Sequence, residues 1–346
     1  MENNTLGLSP QQRWRNLQAK YIPTLTKRQQ KLFVALSVIL VLAFVLFVLP
    51  FLLPLAGPKP QSPQSLADDN GAFIEVEDTT IYYQHAKGNG PVVLLIHGQA
   101  GSTLTWRETL PSLHSAGYDV YALDLPGLGL SEKGLHINYS HGALAETVAR
   151  FMEVMDISKA HIVAHAFSSN IAVILAQRYP TYVRSLVLVA PTIITTPTTQ
   201  IPSTLLEMPF LERWIRVLIR WVLPEAVGEQ LRSATKNDDV VDDELIADYS
   251  RVMKTEGWEF TALGMIRDSH LNAIDAPLET LNIPAAVVWG TQDGWAPPTD
   301  GYWIVEALSA EYYPLEGIGH LPMHEAVADF NAILMAFFDN IDSISE

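Results

Sequence analysis

Two side chains late in the chain could move protons. Asp293 lies in a turn-like Thr-Gln-Asp-Gly after the apolar run AAVVWG, and His320 follows a glycine-rich turn ahead of a predicted C-terminal helix. A carboxylate that holds an imidazole in one tautomer makes that histidine a general base and then a general acid. The pair therefore predicts acid–base chemistry, with Asp300 as the second candidate for the carboxylate. The structural alternatives are a turn-stabilising aspartate and a structural histidine.

Short apolar runs would position these side chains at strand ends. The sequences FIEVE and TIYYQ predict a hairpin, and five further runs predict buried strands: VVLLIH, DVYALD, HIVAH, SLVLVA and AAVVWG. Segments of helical character separate them, which is typical of a mostly parallel sheet covered by helices on both faces, so the predicted fold class is α/β. Over 191–280 the alternation stops and the periodicity is helical, which predicts an inserted cap.

The composition narrows the function classes. A chain of 346 residues, 48% of them hydrophobic, can form one large α/β domain with additions. The absence of cysteine excludes disulfides, thiolate zinc sites and cysteine nucleophiles. The net charge is −16, and the basic excess is confined to residues 1–31. This distribution argues against nucleic-acid binding by the main domain, and no metal or nucleotide motif stands out.

A long uncharged segment predicts a membrane anchor. No residue over 32–57 is charged, and this length at about 1.5 Å per residue can cross a hydrocarbon core about 30 Å thick. We predict one transmembrane helix over 32–57, kinked or ended near Leu49 by Pro50 and Pro54, and then a linker over 58–71. A cleaved signal peptide is the weaker alternative, because such signals have short starts and shorter apolar stretches.

The tail over 1–31 predicts the orientation of that anchor. It holds six Lys and Arg residues against one acid, whereas only Lys59 lies close on the other side. Positive charge favours the cytoplasmic side, so we predict a cytoplasmic N-terminus with the main domain on the extracytoplasmic side. Trp14 and Tyr21 among the basic residues suit a membrane surface, although a solvated basic stop signal fits equally well.

Four motifs, each at a strand end and in the same order along the chain, carry a family resemblance. They are His97-Gly98-Gln99-Ala100-Gly101-Ser102, Asp124-Leu125-Pro126-Gly127-Leu128-Gly129-Leu130-Ser131, Trp289-Gly290-Thr291-Gln292-Asp293 and Gly317-Ile318-Gly319-His320. From Ala72 to the C-terminus the chain resembles the α/β-hydrolase superfamily, in particular the capped branch of epoxide hydrolases, haloalkane dehalogenases, carbon–carbon hydrolases and lipid esterases. The resemblance implies an α/β-hydrolase core over 72–190 and 281–346, interrupted by the helical cap over 191–280.

The resemblance also implies roles for individual residues. The family order of nucleophile, acid and histidine places Ala166, Asp293 and His320 in the three catalytic positions. The oxyanion donors would be the backbone N–H groups of Gln99 and Phe167, and the chemistry requires no cofactor.

The nucleophile itself is missing. The chain reads Ala164-His165-Ala166-Phe167-Ser168 where the family has Gly-x-Ser-x-Gly. Because Ala164 and Ser168 are small, the sharp turn should still form, and Ser168 or Ser169 are weaker candidates for the reactive hydroxyl. Two interpretations remain open: Ala166 replaces a natural serine, or Ala166 is native in a non-catalytic relative. Either predicts a nearly inert chain.

The predicted cap contains a basic, apolar helix. In MPFLERWIRVLIRWVL the arginines Arg213, Arg216 and Arg220 recur on one helical face, which could rest on lipid headgroups with Trp214 and Trp221 at the interface. The alternative is a helix that packs its apolar face over a pocket. We expect Trp106 and Trp214 to contact the substrate.

Two function hypotheses follow. The first is a single-pass, membrane-anchored serine hydrolase of esterase or lipase type, acting on a lipophilic ester through an acyl-enzyme at position 166. The second is a non-catalytic protein that binds a ligand or a membrane-protein partner. Both predict contact with the lipid bilayer through 32–57.

Overall fold

The computed structural model describes residues 9, 11, 12, 14, 26–55, 59–200, 202–206 and 208–345. Most of the predicted basic tail over 1–31 and the end of the predicted anchor, residues 56 and 57, therefore lie outside the described residues. The chain divides into two compact units, Met1–Pro54 and Leu55–Glu346.

The first unit contains a long apolar helix, α1 (Lys27–Phe47), followed by the short helix α2 (Leu49–Leu52). Thr26 caps α1, because its hydroxyl accepts a hydrogen bond from the amide of Gln29. Helix α1 is long and apolar enough to cross a membrane by length and composition. It begins earlier than the predicted span and ends close to the predicted limit at Leu49, where Pro50 has no amide hydrogen to continue the helix.

Eight strands form one sheet within the described residues of the second unit. They are β1 (Gly71–Val76), β2 (Thr79–Ala86), β3 (Val92–Ile96), β4 (Asp119–Leu123), β5 (Ala160–His165), β6 (Val183–Val189), β7 (Ala285–Gly290) and β8 (Glu311–Leu315). Their order is β1-β2-β4-β3-β5-β6-β7-β8. The hairpin β1–β2 and the pair β2–β4 are antiparallel and the other neighbours are parallel. The predicted hairpin and the five predicted strands are confirmed.

Helices cover both faces of this sheet. The α-helices are α3 (Thr109–Ser115), α4 (His141–Val154), α5 (Ser168–Arg178), α6 (Ser203–Leu206), α7 (Pro209–Ala234), α8 (Asp243–Ser250), α9 (Glu259–Asp268), α10 (Tyr302–Leu308), α11 (Pro322–Glu325) and α12 (Val327–Ser345). Short 3₁₀ turns span Pro63–Leu66, Thr103–Trp106, Pro180–Tyr182, Asp238–Val240, Arg251–Lys254, Ser269–Leu271, Leu278–Thr280 and Pro298–Gly301. One buried core joins the sheet to α4, α5 and α10, and a second joins it to α3 and α12. The predicted α/β fold with both faces covered is confirmed.

The sequence pattern did not predict strand β8. Its sequence, EYYPL, is not a continuous apolar run, and only Leu315 among its residues is buried. It lies at the edge of the sheet, where Pro314 pairs with Trp289. An edge strand has one unpaired side, so it tolerates a proline and exposed polar residues that would disrupt a central strand.

Between β6 and β7 the described residues form helices α6 to α9 and no strand. The longest is α7, with 26 residues and an internal Pro224. The two ends of the segment meet, because the amide of Ile274 donates to the carbonyl of Ile194 at 2.8 Å. The predicted cap falls in this segment, and its bounds at 191 and 280 stay a prediction.

Candidate active site

The turn between β5 and α5 presents Ala166 in a strained conformation. Its φ angle is +50°, in the left-handed region that costs an L-residue about 1–2 kcal/mol. Three hydrogen bonds hold it: its amide donates to the carbonyl of Val189 at 2.9 Å, and its carbonyl accepts from the amides of Ser169 and Thr192 at 3.0 and 3.2 Å. The sharp strand-to-helix turn therefore forms with alanine at its tip.

The two neighbouring serines face away from this tip. Ser168 donates its hydroxyl to the carbonyl of His97, and Ser169 donates to the carbonyl of Ala164 at 3.1 Å. Both side chains are fully buried, and neither lines the cavity described below. Their hydroxyls tie α5 to the ends of β3 and β5, so they are poorly placed to replace a nucleophile.

Asp293 and His320 come together at the carboxyl edge of the sheet. The Nδ1 atom of His320 lies 2.7 Å from Oδ2 of Asp293, while Oδ1 of Asp293 accepts from the amides of Trp295 and Ala296 at 2.8 and 2.9 Å. Burial raises the pKa of Asp293, but the hydrogen bond and charge of His320 and the two amides outweigh it and leave the pKa below its ordinary value. An ionised carboxylate only accepts, so Nδ1 of His320 carries the proton. Asp300 makes no hydrogen bond to His320 in the described chain.

This arrangement leaves Nε2 of His320 as the nitrogen that can accept a proton. Within the described residues Nε2 makes no hydrogen bond, and His320 lines the cavity. The dyad therefore has the geometry of a general base.

His165 contacts the backbone of the dyad histidine. Its Nε2 donates to the carbonyl of His320 at 3.0 Å, and burial followed by the charge of His320 lowers its pKa well below the ordinary value. Its Nδ1 lies so close to Gly98 that a Cβ atom there would approach within 2.5 Å. His165 is thus a neutral side chain that packs between two loops of the site.

The two residues expected to supply oxyanion donors line the same cavity as His320. Gln99 follows β3 and Phe167 follows Ala166, and both residues line the cavity. Over the described residues neither amide donates a hydrogen bond within the chain. Free amides beside a strand-to-helix turn can bind a carbonyl oxygen or an anion.

The cavity has a volume of about 590 Å³ and a largely apolar lining. Ala166, His320, Gln99 and Phe167 all line it. The segment between β6 and β7 contributes these lining residues: Thr192, Leu223, Val227, Gln230, Leu231, Ala234, Tyr249, Val252, Met253, Trp258, Thr261, Ala262 and Met265. In the described part of the chain no cluster of three or more His, Asp or Glu side chains could hold a metal ion.

The two tryptophans expected at the substrate lie elsewhere. Trp106 is fully buried in the core beneath α12, with its ring 6.3 Å from that of Phe330. Trp214 lies on α7 outside the cavity lining. Both expectations are corrected, because the 3₁₀ turn and the helix aim these side chains away from the cavity. Sequence reasoning missed three aromatic residues that line the cavity, Tyr249, Trp258 and Trp295, although Trp295 follows the aspartate motif by only two positions.

Two arginines of α7 make contacts inside the protein, although one expectation placed them on lipid headgroups. Arg216 and Arg220 contact the carboxylate of Glu259 on α9 at 2.9 and 3.1 Å, and Glu259 is only 1% exposed. The guanidinium of Arg216 also lies 4.1 Å from the centre of the Phe260 ring. These contacts favour the alternative in which the helix packs over a pocket, and correct the picture of Arg216 and Arg220 on lipid headgroups.

Comparisons with known proteins agree with this architecture. The sequence model of the family described as alpha/beta hydrolase fold matches residues 91–327. The chain belongs to this family. The uncharacterized hydrolase YugF of Bacillus subtilis (strain 168) is 27% identical over 266 residues, which cover 74% of this chain and 95% of YugF.

Two solved structures share the fold. A bacterial membrane phospholipase A, described as a virulence factor, is 25% identical with a TM-score of 0.63, over 90% of this chain and 99% of that one. A mutant of the meta-cleavage product hydrolase CumD from Pseudomonas fluorescens IP01, complexed with acetates, is 23% identical with a TM-score of 0.64, over 78% of this chain and 97% of that one. At this identity, the similarity to CumD shows a shared fold and nothing about activity.

Proposed function

We propose that this protein is a membrane-anchored α/β-hydrolase whose site is built to cleave a lipophilic ester but lacks the nucleophilic oxygen. The observation that carries the proposal is that Ala166 and His320 line one apolar cavity, with His320 oriented by Asp293 at 2.7 Å. The cavity therefore has an acid and a base, Asp293 and His320, and two free amides, but position 166 carries only the methyl group of alanine.

With serine at position 166 the chemistry would proceed in two steps. The hydroxyl oxygen attacks the ester carbonyl, its proton passes to Nε2 of His320, and the amides of Gln99 and Phe167 bind the negative oxygen. The tetrahedral intermediate expels the alcohol, which takes the proton from His320. Water then hydrolyses the acyl-enzyme by the same proton transfers. With Ala166 the ester can bind, but no acyl-enzyme can form.

Two features support a lipophilic substrate. The cavity lining is largely apolar, so it favours an acyl chain over a sugar or a charged group. The membrane phospholipase A with the same fold, at 25% identity, makes a lipid ester a reasonable substrate class. Helix α1 would hold the domain at the membrane, where such esters are concentrated, and the basic tail would place the hydrolase domain on the extracytoplasmic side.

The substitution Ala166→Ser tests this proposal directly. We expect the full-length variant to be labelled by a fluorophosphonate probe and to hydrolyse a short acyl ester, at a rate at least about 10³-fold above the unsubstituted chain. The double variant Ala166→Ser/His320→Ala is the matched control and should lose both signals. An Ala166→Ser variant that is folded yet neither labelled nor active would contradict the proposal.

A second candidate function is non-catalytic binding, with Ala166 as the native residue. The observation that favours it is the tight seating of Ser168, whose buried hydroxyl binds the carbonyl of His97 at a position where the family has glycine. This candidate expects a ligand or a membrane-protein partner at fixed stoichiometry after purification from the native membrane. A monodisperse monomer with an empty cavity would count against it.

A further inference from the structure

The C-terminal end of α7 contacts both loops that carry the dyad. The amide of His320 donates to the carbonyl of Ala234 at 2.7 Å, and Nε1 of Trp295 donates to the hydroxyl of Ser233 at 3.0 Å. The same helix lines the cavity through Val227, Leu231 and Ala234. One element therefore forms a wall of the ligand cavity and a support of the general base.

A carboxylate strengthens this junction. Glu325 accepts from the amide of Lys236, just past α7, at 2.7 Å and from the amide of Gly319 at 3.0 Å. Gly319 must be glycine for the helix end to come so near, because a Cβ atom there would lie 2.4 Å from the carbonyl of Ala234. The loop of His320 is thus seated on the end of α7 by several backbone contacts.

Trp295 connects α7 to both members of the dyad. Its amide donates to Oδ1 of Asp293 at 2.8 Å, and its indole ring lies 5.4 Å from the ring of His320. The indole is 49% exposed, so packing alone holds it weakly. Ser233 accepts from the indole while donating to the carbonyl of Gln230 at 2.8 Å, which gives the serine hydroxyl one defined orientation.

We propose that Ser233 and Trp295 are a positioning pair that couples the seating of α7 over the cavity to the orientation of His320. With α7 seated, the bond between Ser233 and Trp295 holds the indole against the imidazole and keeps Nε2 directed toward position 166. A ligand that displaces α7 weakens this hold. The pair thereby favours acyl groups that fit beneath α7, and it acts through the dyad without touching the reacting atoms.

The kinetic part of the test rests on the proposed function and uses the Ala166→Ser background. We expect Ser233→Ala to lower kcat by roughly two- to tenfold, the range expected for loss of one hydrogen bond, with KM unchanged within about twofold. Trp295→Phe, which keeps a ring but removes the donor, should lower kcat by a similar factor, and Ser233→Thr should restore kcat. The matched control is Ser343→Ala, because Ser343 is also an exposed helix serine that donates to the carbonyl three residues before it.

The spectroscopic part needs no catalysis and uses the full chain with Ala166. The proton on Nδ1 of His320, which lies between His320 and Asp293, is followed by NMR with ¹⁵N-labelled histidine. We expect Ser233→Ala to speed its exchange with water, and Ser343→Ala to leave the exchange rate unchanged.

The two parts separate the two proposals. An inactive Ala166→Ser variant would contradict the hydrolase proposal, and the exchange rate would still decide the role of the pair. If Ser233→Ala matches Ser343→Ala in the exchange rate, or in kcat where turnover is present, the positioning role is overturned.

Discussion

The Nδ1 atom of His320 lies 2.7 Å from Oδ2 of Asp293, although the two residues belong to loops that follow different strands. The carboxylate is held in turn by the amides of Trp295 and Ala296, so its position does not depend on the histidine. A carboxylate therefore orients His320 in the same cavity that Ala166 lines.

Removing the charge of Asp293 should abolish any activity restored at position 166. In the Ala166→Ser background we expect Asp293→Asn to lower kcat by about 10⁴-fold, because the amide no longer fixes the productive tautomer of His320. The measurement is the hydrolysis of a short acyl ester, together with the rate of fluorophosphonate labelling. Asp300→Asn, in the next turn of the same loop, is the control and should leave both rates unchanged; equal losses in the two variants would show that Asp293 does not orient His320.

Glycine at position 166 should stabilise the protein. The left-handed backbone at +50° costs alanine about 1–2 kcal/mol, and the greater freedom of unfolded glycine offsets about 0.4–1 kcal/mol of the gain. We expect Ala166→Gly to raise the free energy of unfolding by about 0.5 kcal/mol in urea titrations in mild detergent. The control Ala143→Gly, at a half-buried position in α4, should lower it by about 0.5–1 kcal/mol. A loss of stability in both variants would mean that the turn at 166 is not strained.

Neutralising Glu259 should loosen the helices between β6 and β7. Glu259→Gln removes the buried carboxylate that Arg216 and Arg220 share, and we expect the free energy of unfolding to fall by about 2–3 kcal/mol. Limited proteolysis should cut faster within 191–280. The exposed pair between Glu229 and Arg232 supplies the control, since Glu229→Gln should change stability by less than about 0.5 kcal/mol. Similar effects of the two substitutions would contradict a structural role for Glu259.

Acid should destabilise the fold partly through His141. Burial lowers the pKa of His141 to about 4, and its Nδ1 accepts a hydrogen bond from the amide group of Asn170 at 2.8 Å, which a proton would break. The unfolded chain, with a histidine pKa of about 6.5, binds the proton first, so stability is full above that value and falls as the pH drops toward 4.

The substitution His141→Gln tests how much His141 contributes to the pH dependence of stability. We expect the loss of unfolding free energy between pH 7 and pH 5 to shrink by about 2 kcal/mol in His141→Gln. His136→Gln changes an exposed histidine and should leave the loss as it is in the unsubstituted chain. An unchanged pH dependence in His141→Gln would show that His141 is not neutral in the folded protein.

The membrane orientation can be measured because the chain has no cysteine of its own. Asn89→Cys introduces an exposed thiol in the hydrolase domain, and Ser9→Cys introduces one ahead of α1. We expect a membrane-impermeant maleimide to label the first variant in intact cells and the second only after permeabilisation. The reverse labelling pattern would show that the proposed orientation is wrong. Labelling of both variants in intact cells would contradict a membrane-spanning α1.

Much of the architecture could be predicted from local patterns. Strands β3 to β7 are short apolar runs between helical segments, and this pattern alone requires a covered, mostly parallel sheet. Strand β8 could not be predicted in the same way, because an edge strand containing Pro314 has no buried periodicity to detect.

The candidate site was also predicted from the sequence only in part. The sequence by itself determined that Asp293 follows a buried strand and His320 a glycine-rich turn, that Ala166 brings no nucleophile, and that residues 32–57 are apolar enough to cross a membrane. Residue type, order and local apolar pattern are properties of the chain. Only the tertiary structure decided that Trp106 lies in the core, that Glu259 binds Arg216 and Arg220 of α7, and that Ser233 and Trp295 join that helix to the dyad. Each of these depends on which side chains from distant segments are packed together, and no local pattern encodes that packing.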